Sequence, residues 1–289
     1  MDKVFDTHFH IGHFGSYAFT NNLPIFFDED EHSTVDKVYE KMKALGISAA
    51  VVMPHYTPEK PKSFTEFNPL VWDAIKKEKI YGGLWVSPEP EVWELTEKVF
   101  EKIKQENNSK IVVLKMSPDS QDFGRSWDPA CFSEHKEYSE NLFKIIDFAA
   151  ENNLVIQTHT GTNNSDIKKY AAFIEQNENR LLEKRVKIDF IHSGGTAGGQ
   201  IKFANKYFFD WIDKGLDFYA DLSFSRDFGV KLLIKRAMQL NKGIDRILFA
   251  SDEPWASFKA RLTLIKEMKL PDDVEKKILW ENAEKLFIK

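Results

Sequence analysis

Eight short, nearly continuous apolar runs alternate along the chain with segments of helical periodicity, and few architectures accommodate that order. The runs are Val4–His8, Ile47–Met53, Ile80–Val86, Lys110–Lys115, Leu154–His159, Val186–His192, Leu216–Leu222 and Arg246–Ser251. Runs apolar on both alternating positions fit parallel strands covered on two faces. Between them, Thr34–Leu45, capped by Ser33 and ended by Gly46, is the first of several amphipathic helices. Glu91–Gln105, Asn141–Asn152, Ile167–Leu182, Val230–Leu240 and Arg261–Met268 carry the same spacing. Eight such units in 289 residues predict an α/β chain closed into a single-domain (β/α)8 TIM barrel spanning 1–289, in preference to an open doubly wound sheet. No Gly/Ser/Pro-rich linker interrupts it.

Two long segments, Ile11–His32 and Ser117–Tyr138, fall after the first and fourth runs. In a barrel these are strand-to-helix loops on the face that holds the chemistry, so Phe14, Tyr17, Phe26, Phe27, Phe123 and Trp127 become candidate pocket walls. A net charge of -5 without a basic stripe argues against nucleic acid, and no run approaches the ~20 apolar residues of a membrane span. The lone Cys131 rules out an internal disulfide, and the first residues show no charged-then-apolar leader, so a cytoplasmic location is expected. The expected partner is a small molecule.

Polar residues gather where the runs end. The first contains Asp6-Thr7-His8-Phe9-His10; the fifth, sixth and eighth end in Thr158-His159-Thr160-Gly161, His192-Ser193-Gly194-Gly195 and Ser251-Asp252-Glu253-Pro254. Strict alternation would put Asp6, His8 and His10 on one side of the first strand. A lone strand-end histidine is more often a hydrogen-bonded core group than a ligand. In a barrel, however, all these ends meet at one rim, so His8, His10, His159, His192 and Asp252 can surround one volume. Nitrogen and carboxylate donors without thiolates suit zinc, manganese or iron. Lys115, His55, Trp85 and Arg226, also at run ends or just beyond, are candidate substrate-binding residues, Arg226 offering a fork for a carboxylate or phosphate. His13, His32 and His135 are assigned no chemistry, and Cys131 reads as a small apolar group.

This ordered set of motifs resembles the amidohydrolase superfamily. More narrowly, it is similar to the amidohydrolase-related branch that includes amino-carboxymuconate-semialdehyde decarboxylase and several lactone hydrolases, and the segment Ile278–Phe287 resembles that branch's closing helix. The resemblance implies that His8, His10, His159 and Asp252 bind one divalent cation, zinc first, with manganese or iron as alternatives. It makes His192 the residue that holds or deprotonates a water, with Asp252 able to accept a proton as well. Two-metal relatives carry a carboxylated lysine at the position of Lys115, which leaves a second ion open. The branch usually has Lys-x-His-Pro here, whereas this chain has Lys115-Met116-Ser117-Pro118. A single ion with Lys115 as an ammonium facing a substrate anion is therefore expected. The implied activity is metal-dependent hydrolysis of a lactone, ester or amide of a small anionic molecule; the alternative is non-oxidative decarboxylation of an aromatic or enoic acid. Homologues commonly form homodimers.

Overall fold

The computed structural model describes residues 3–12, 31–55, 68–118, 128–130 and 136–288. Eight parallel strands form one sheet in chain order: β1 (Phe5–Ile11), β2 (Ala49–Pro54), β3 (Ile80–Trp85), β4 (Ile111–Met116), β5 (Val155–His159), β6 (Lys187–Ile191), β7 (Phe218–Asp221) and β8 (Ile247–Leu248). Parallel order follows from the helix inserted after each strand, which returns the chain to the starting edge. Helices α1 (Val35–Leu45), α2 (Asn68–Ala74), α3 (Trp93–Glu106), α4 (Lys136–Glu151) and α5 (Ile167–Lys184) follow the first five strands. After β6 come α6 (Ala197–Lys202) and α7 (Phe208–Asp213), joined through a π-helical turn, and after β7 comes α8 (Asp227–Leu240). The chain ends its helical layer with α9 (Phe258–Glu267), α10 (Asp272–Lys276) and α11 (Asn282–Phe287).

The sheet bends round on itself. Thr7 N–H donates to the Phe249 carbonyl (3.1 Å), Asp252 N–H to that of His8 (2.9 Å) and His10 N–H to that of Glu253 (3.0 Å), so β1 is laced to the segment running on from β8. The predicted barrel is therefore present. Two local expectations change. The α1 cap is Thr34, not Ser33: its hydroxyl accepts from Lys37 N–H at 3.3 Å, so the helix begins at Val35. The pairing of β1 with β2 slips between Asp6 and Phe9, a bulge that breaks strict alternation. Phe5 consequently faces the barrel interior, while the Asp6 carboxylate turns to Ser251. Helices α2 and α6–α7 were not evident from apolar spacing.

Apolar packing is divided between two shells. The outer one lies between sheet and helices, with Phe190 against Trp211 and Phe218 as one of its aromatic centres. The inner one fills the barrel where the strands begin: Phe5, Ala49, Val51, Met53, Val113, Val155 and Leu248 meet Leu286 and Phe287 of α11. Helix α11 thus stoppers that mouth, and the polar residues are left to the opposite one. Most of 11–32 and 117–138, with Phe14, Tyr17, Phe26, Phe27, Phe123, Trp127, His13, Cys131 and His135, lies outside the described residues.

Candidate metal centre

At the carboxyl mouth the bulged end of β1 and the turn after β8 bring three donors together. His8 Nε2 and His10 Nε2 are 3.1 Å apart, and Asp252 Oδ1 is 3.4 Å from the first and 2.9 Å from the second. All three residues are buried. Bonds of about 2.1 Å to a tetrahedral or octahedral cation give ligand-to-ligand edges of about 3.0–3.4 Å. The triad has that spacing, and its two nitrogens and one oxygen form a donor set suited to zinc, manganese or iron. Among the described residues these are the three His, Cys, Asp or Glu side chains whose ligand atoms all lie within 4.8 Å of one another.

The backbone explains the convergence. Asp252 sits at φ 67°, a left-handed conformation that a bulky residue rarely adopts, fixed by its N–H bond to His8. Asp6 fastens the other side, accepting from Ser251 N–H (2.9 Å), Ser251 Oγ (2.5 Å) and His8 N–H (3.2 Å). Burial nonetheless raises the Asp6 carboxyl to about 8, against the pull of these bonds. His32 supports β1 from outside, its ring stacked on Phe9 and its Nδ1 2.9 Å from the His10 carbonyl.

His192 and His159 stand beside the triad. The His192 ring lies 5.8 Å from that of His8 and 4.8 Å from that of His159, and its Nε2 is 4.0 Å from Asp252 Oδ2. His192 Nδ1 lies 3.0 Å from the Ser223 carbonyl, which can only accept. Nδ1 therefore carries the hydrogen and Nε2 keeps a lone pair. Burial, helped by His159, holds His192 well below its ordinary value. Burial and then Lys115 do the same to His8, and push His159 down to about 3. These three imidazoles are neutral at pH 7, the form that binds metal or accepts a proton.

Lys115 is fully enclosed, its ammonium 5.4 Å from the centre of the Trp85 ring. Burial lowers it to about 8, opposed by Asp252, Asp221 and Asp189, so the ammonium still predominates at neutral pH. Burial also raises Asp252, against its hydrogen bond to His10. Below the mouth, Gln157 Nε2 donates to the Thr7 carbonyl (3.0 Å) and to Asp189 Oδ2 (2.9 Å). Burial and the neighbouring Asp221 carry Asp189 well above the carboxylate range.

The remaining predicted residues divide. His55 is inside, its ring 5.4 Å from that of His10 and its Nδ1 3.3 Å from Trp255 Nε1. Trp85 forms part of the wall, with its indole N–H bonded to the Pro54 carbonyl at 2.8 Å. Arg226 is exposed at the N-cap of α8. Sequence reasoning missed Trp255, Asp189, Gln157 and Phe224, the last 57 % exposed with its ring 5.6 Å from that of His192. It also missed Asp221, wholly buried at the end of β7, whose Oδ2 is 3.2 Å from His8 Nδ1. An aspartate near the carboxyl end of the seventh run, next to Leu222, was the signal that could have found it.

The family profile described as amidohydrolase matches residues 132–288, more than half of the chain, and the protein belongs to that family. No curated protein matches it in sequence. Among solved structures it is similar to a probable 2-pyrone-4,6-dicarboxylic acid hydrolase from Acinetobacter baumannii, with citric acid bound, at 12% identity and a TM-score of 0.64 over 99% of both chains. A dihydroxybenzoic acid decarboxylase from a Polaromonas species, with manganese and 2-nitroresorcinol, is 16% identical with a TM-score of 0.62, over 99% of this chain and 97% of that one. A 5-carboxyvanillate decarboxylase from Novosphingobium aromaticivorans, with manganese and a nitrobenzoic acid, is 15% identical with a TM-score of 0.65, over 99% and 96%. At these identities the likeness establishes the barrel. No helix among the described residues is long and apolar enough to cross a membrane.

Proposed function

We propose that the protein is a metal-dependent hydrolase of a small anionic lactone, ester or amide, with His8, His10, His159 and Asp252 as candidate ligands of one divalent cation. The observation that carries this reading is the triad's spacing, 2.9 to 3.4 Å between donor atoms, beside a histidine whose free nitrogen faces the same space. Zinc is the first candidate, and the manganese in the two decarboxylase structures makes that ion the second. A cation held there supplies positive charge that polarises a carbonyl and acidifies a water.

The chain's own groups complete the chemistry. His192 Nε2, neutral and unprotonated, accepts the proton of an attacking water, and Asp252 Oδ2, 4.0 Å away, is a second acceptor. The Lys115 ammonium attracts and orients an anionic substrate, and its seat over Trp85 keeps it pointed inward. Phe224 offers a flat apolar face at the rim.

That same face supports a second reading, decarboxylation of an aromatic acid, as two of the similar structures are decarboxylases of aromatic acids. A panel of lactones and hydroxylated aromatic acids, followed for acid release and for carbon dioxide, separates the two. Carbon dioxide alone would overturn the hydrolase. Metal analysis tests the site itself. His8→Ala and Asp252→Ala should lose both cation and turnover, whereas His192→Ala should keep the cation and lose turnover. Full occupancy in Asp252→Ala would remove Asp252 from the ligands.

A further inference from the structure

The Asp221 carboxylate, at the end of β7, meets the His8 imidazole and the His192 backbone from behind. Its Oδ2 faces His8 Nδ1 at 3.2 Å. Its Oδ1 accepts from His192 N–H (2.9 Å), Ser223 N–H (3.0 Å) and Ser223 Oγ (2.6 Å). We infer that Asp221 is the positioning residue that sets the hydrogen of both histidines, directly for His8 and through the Ser223 hydroxyl for His192. This assignment rests on the metal-centre reading for its functional meaning, but its physical content does not.

For His8 the nearer of two carboxylates decides: Asp221 Oδ2 lies 3.2 Å from Nδ1, Asp252 Oδ1 3.4 Å from Nε2. A carboxylate has no hydrogen to give, so the shorter contact takes Nδ1–H as its donor, and Nε2 is left with its lone pair towards His10 and Asp252. A carboxylate behind a ligating imidazole fixes the ring and raises its basicity. For His192 the path has one more step. The Ser223 Oγ–H is spent on Asp221 Oδ1, so towards His192 Nδ1, 3.0 Å away, the hydroxyl can only accept. It thereby reinforces the Ser223 carbonyl, and both force the hydrogen onto Nδ1.

The same oxygen also holds a strained turn. His192, Ser193, Gly194 and Gly195 come in succession with φ of 65°, 46°, 98° and 68°. Left-handed backbone at non-glycine residues persists only where its surroundings over-determine it. Here His192 N–H is tied to Asp221 Oδ1, Ser193 Oγ to the Asp221 carbonyl, and Gly194 N–H to Thr160 Oγ1 at 2.9 Å. One side chain thus serves the candidate ligand and the candidate base together.

Asp221→Asn separates the two duties. Three donors converge on Oδ1, so the amide oxygen must take that side and the amide nitrogen must face His8 Nδ1. Two donors cannot share that contact, and His8 must move its hydrogen to Nε2. In metal-free wild type, ¹⁵N spectra should show His8 and His192 both protonated at Nδ1; either one protonated at Nε2 overturns the inference. In Asp221→Asn, His8 should switch while His192 does not, with an unchanged circular dichroism spectrum. Titrated with zinc alone, the variant should bind roughly 10- to 100-fold more weakly than wild type; affinity within twofold overturns the inference. Should wild type bind no zinc at all, the metal-centre reading fails, and the tautomer measurement still decides the part played by Asp221.

Discussion

Lys115 shows how a single side chain sets the conditions for the site. Its folded value of about 8 lies below the ordinary 10.5. Between those limits only the unfolded chain still holds the proton, so the lysine's contribution makes stability rise with pH across that window; below about 8 the burial cost is present in full. The offset corresponds to about 3 kcal/mol. Urea unfolding of metal-free protein from pH 7.5 to 10.5 should therefore show wild type gaining stability relative to Lys115→Met. Parallel curves would mean that the ammonium is solvated in the folded state. His8 and His10 were legible in the chain as a His-x-His pair in the first strand run, and Asp252 because it falls where the eighth run hands over to a turn. Asp189 and Gln157 were not, because within Val155–His159 and Lys187–Ile191 they read as polar interruptions of apolar runs. Their meaning depends on β5 and β6 lying side by side with Gln157 opposite Asp189.

Among elements, α6 shapes the site by packing against the turn that follows β6. A methyl group on Gly199 would stand 1.9 Å from the Gly194 carbonyl, inside the turn that presents His192. A methyl group on Gly198, one position earlier in the same helix, would meet nothing within 4 Å. Gly199→Ala should cost about 1–3 kcal/mol and depress turnover. Gly198→Ala should be neutral or stabilise by about 0.5–1 kcal/mol, with turnover unchanged. Thermal melts and rates of the pair measure both, and equal effects would refute this account of the packing. The strand and helix alternation was readable from apolar spacing, yet α6 and α7 were not. Glycines dilute the apolar stripe of Ala197–Lys202, and a π-helical turn at Phe203–Tyr207 shifts the helical phase of α7. The bulge in β1 was equally hidden, since it appears only against its partner strand.

At the scale of the molecule, the barrel puts its apolar stopper and its cluster of buried histidines and aspartates at opposite mouths. Phe287 is 1 % exposed and 5.9 Å from the Phe5 ring, with Leu286 beside it in the inner shell. Phe287→Ala should cost about 3–5 kcal/mol, while zinc affinity at the other mouth stays within twofold. Calorimetry and metal titration on the same sample check both halves of that statement. The lacing of β1 to the turn after β8 has a temporal side as well. His10 and Asp252 are 242 positions apart, so a ribosome delivers the first long before the second exists. Until that moment β1 is an unlaced edge, and a nascent chain can offer an ion the two imidazoles of β1 but never the carboxylate. The full donor set of the proposed metal centre therefore exists only after closure, and the folded metal-free protein should take up zinc without refolding.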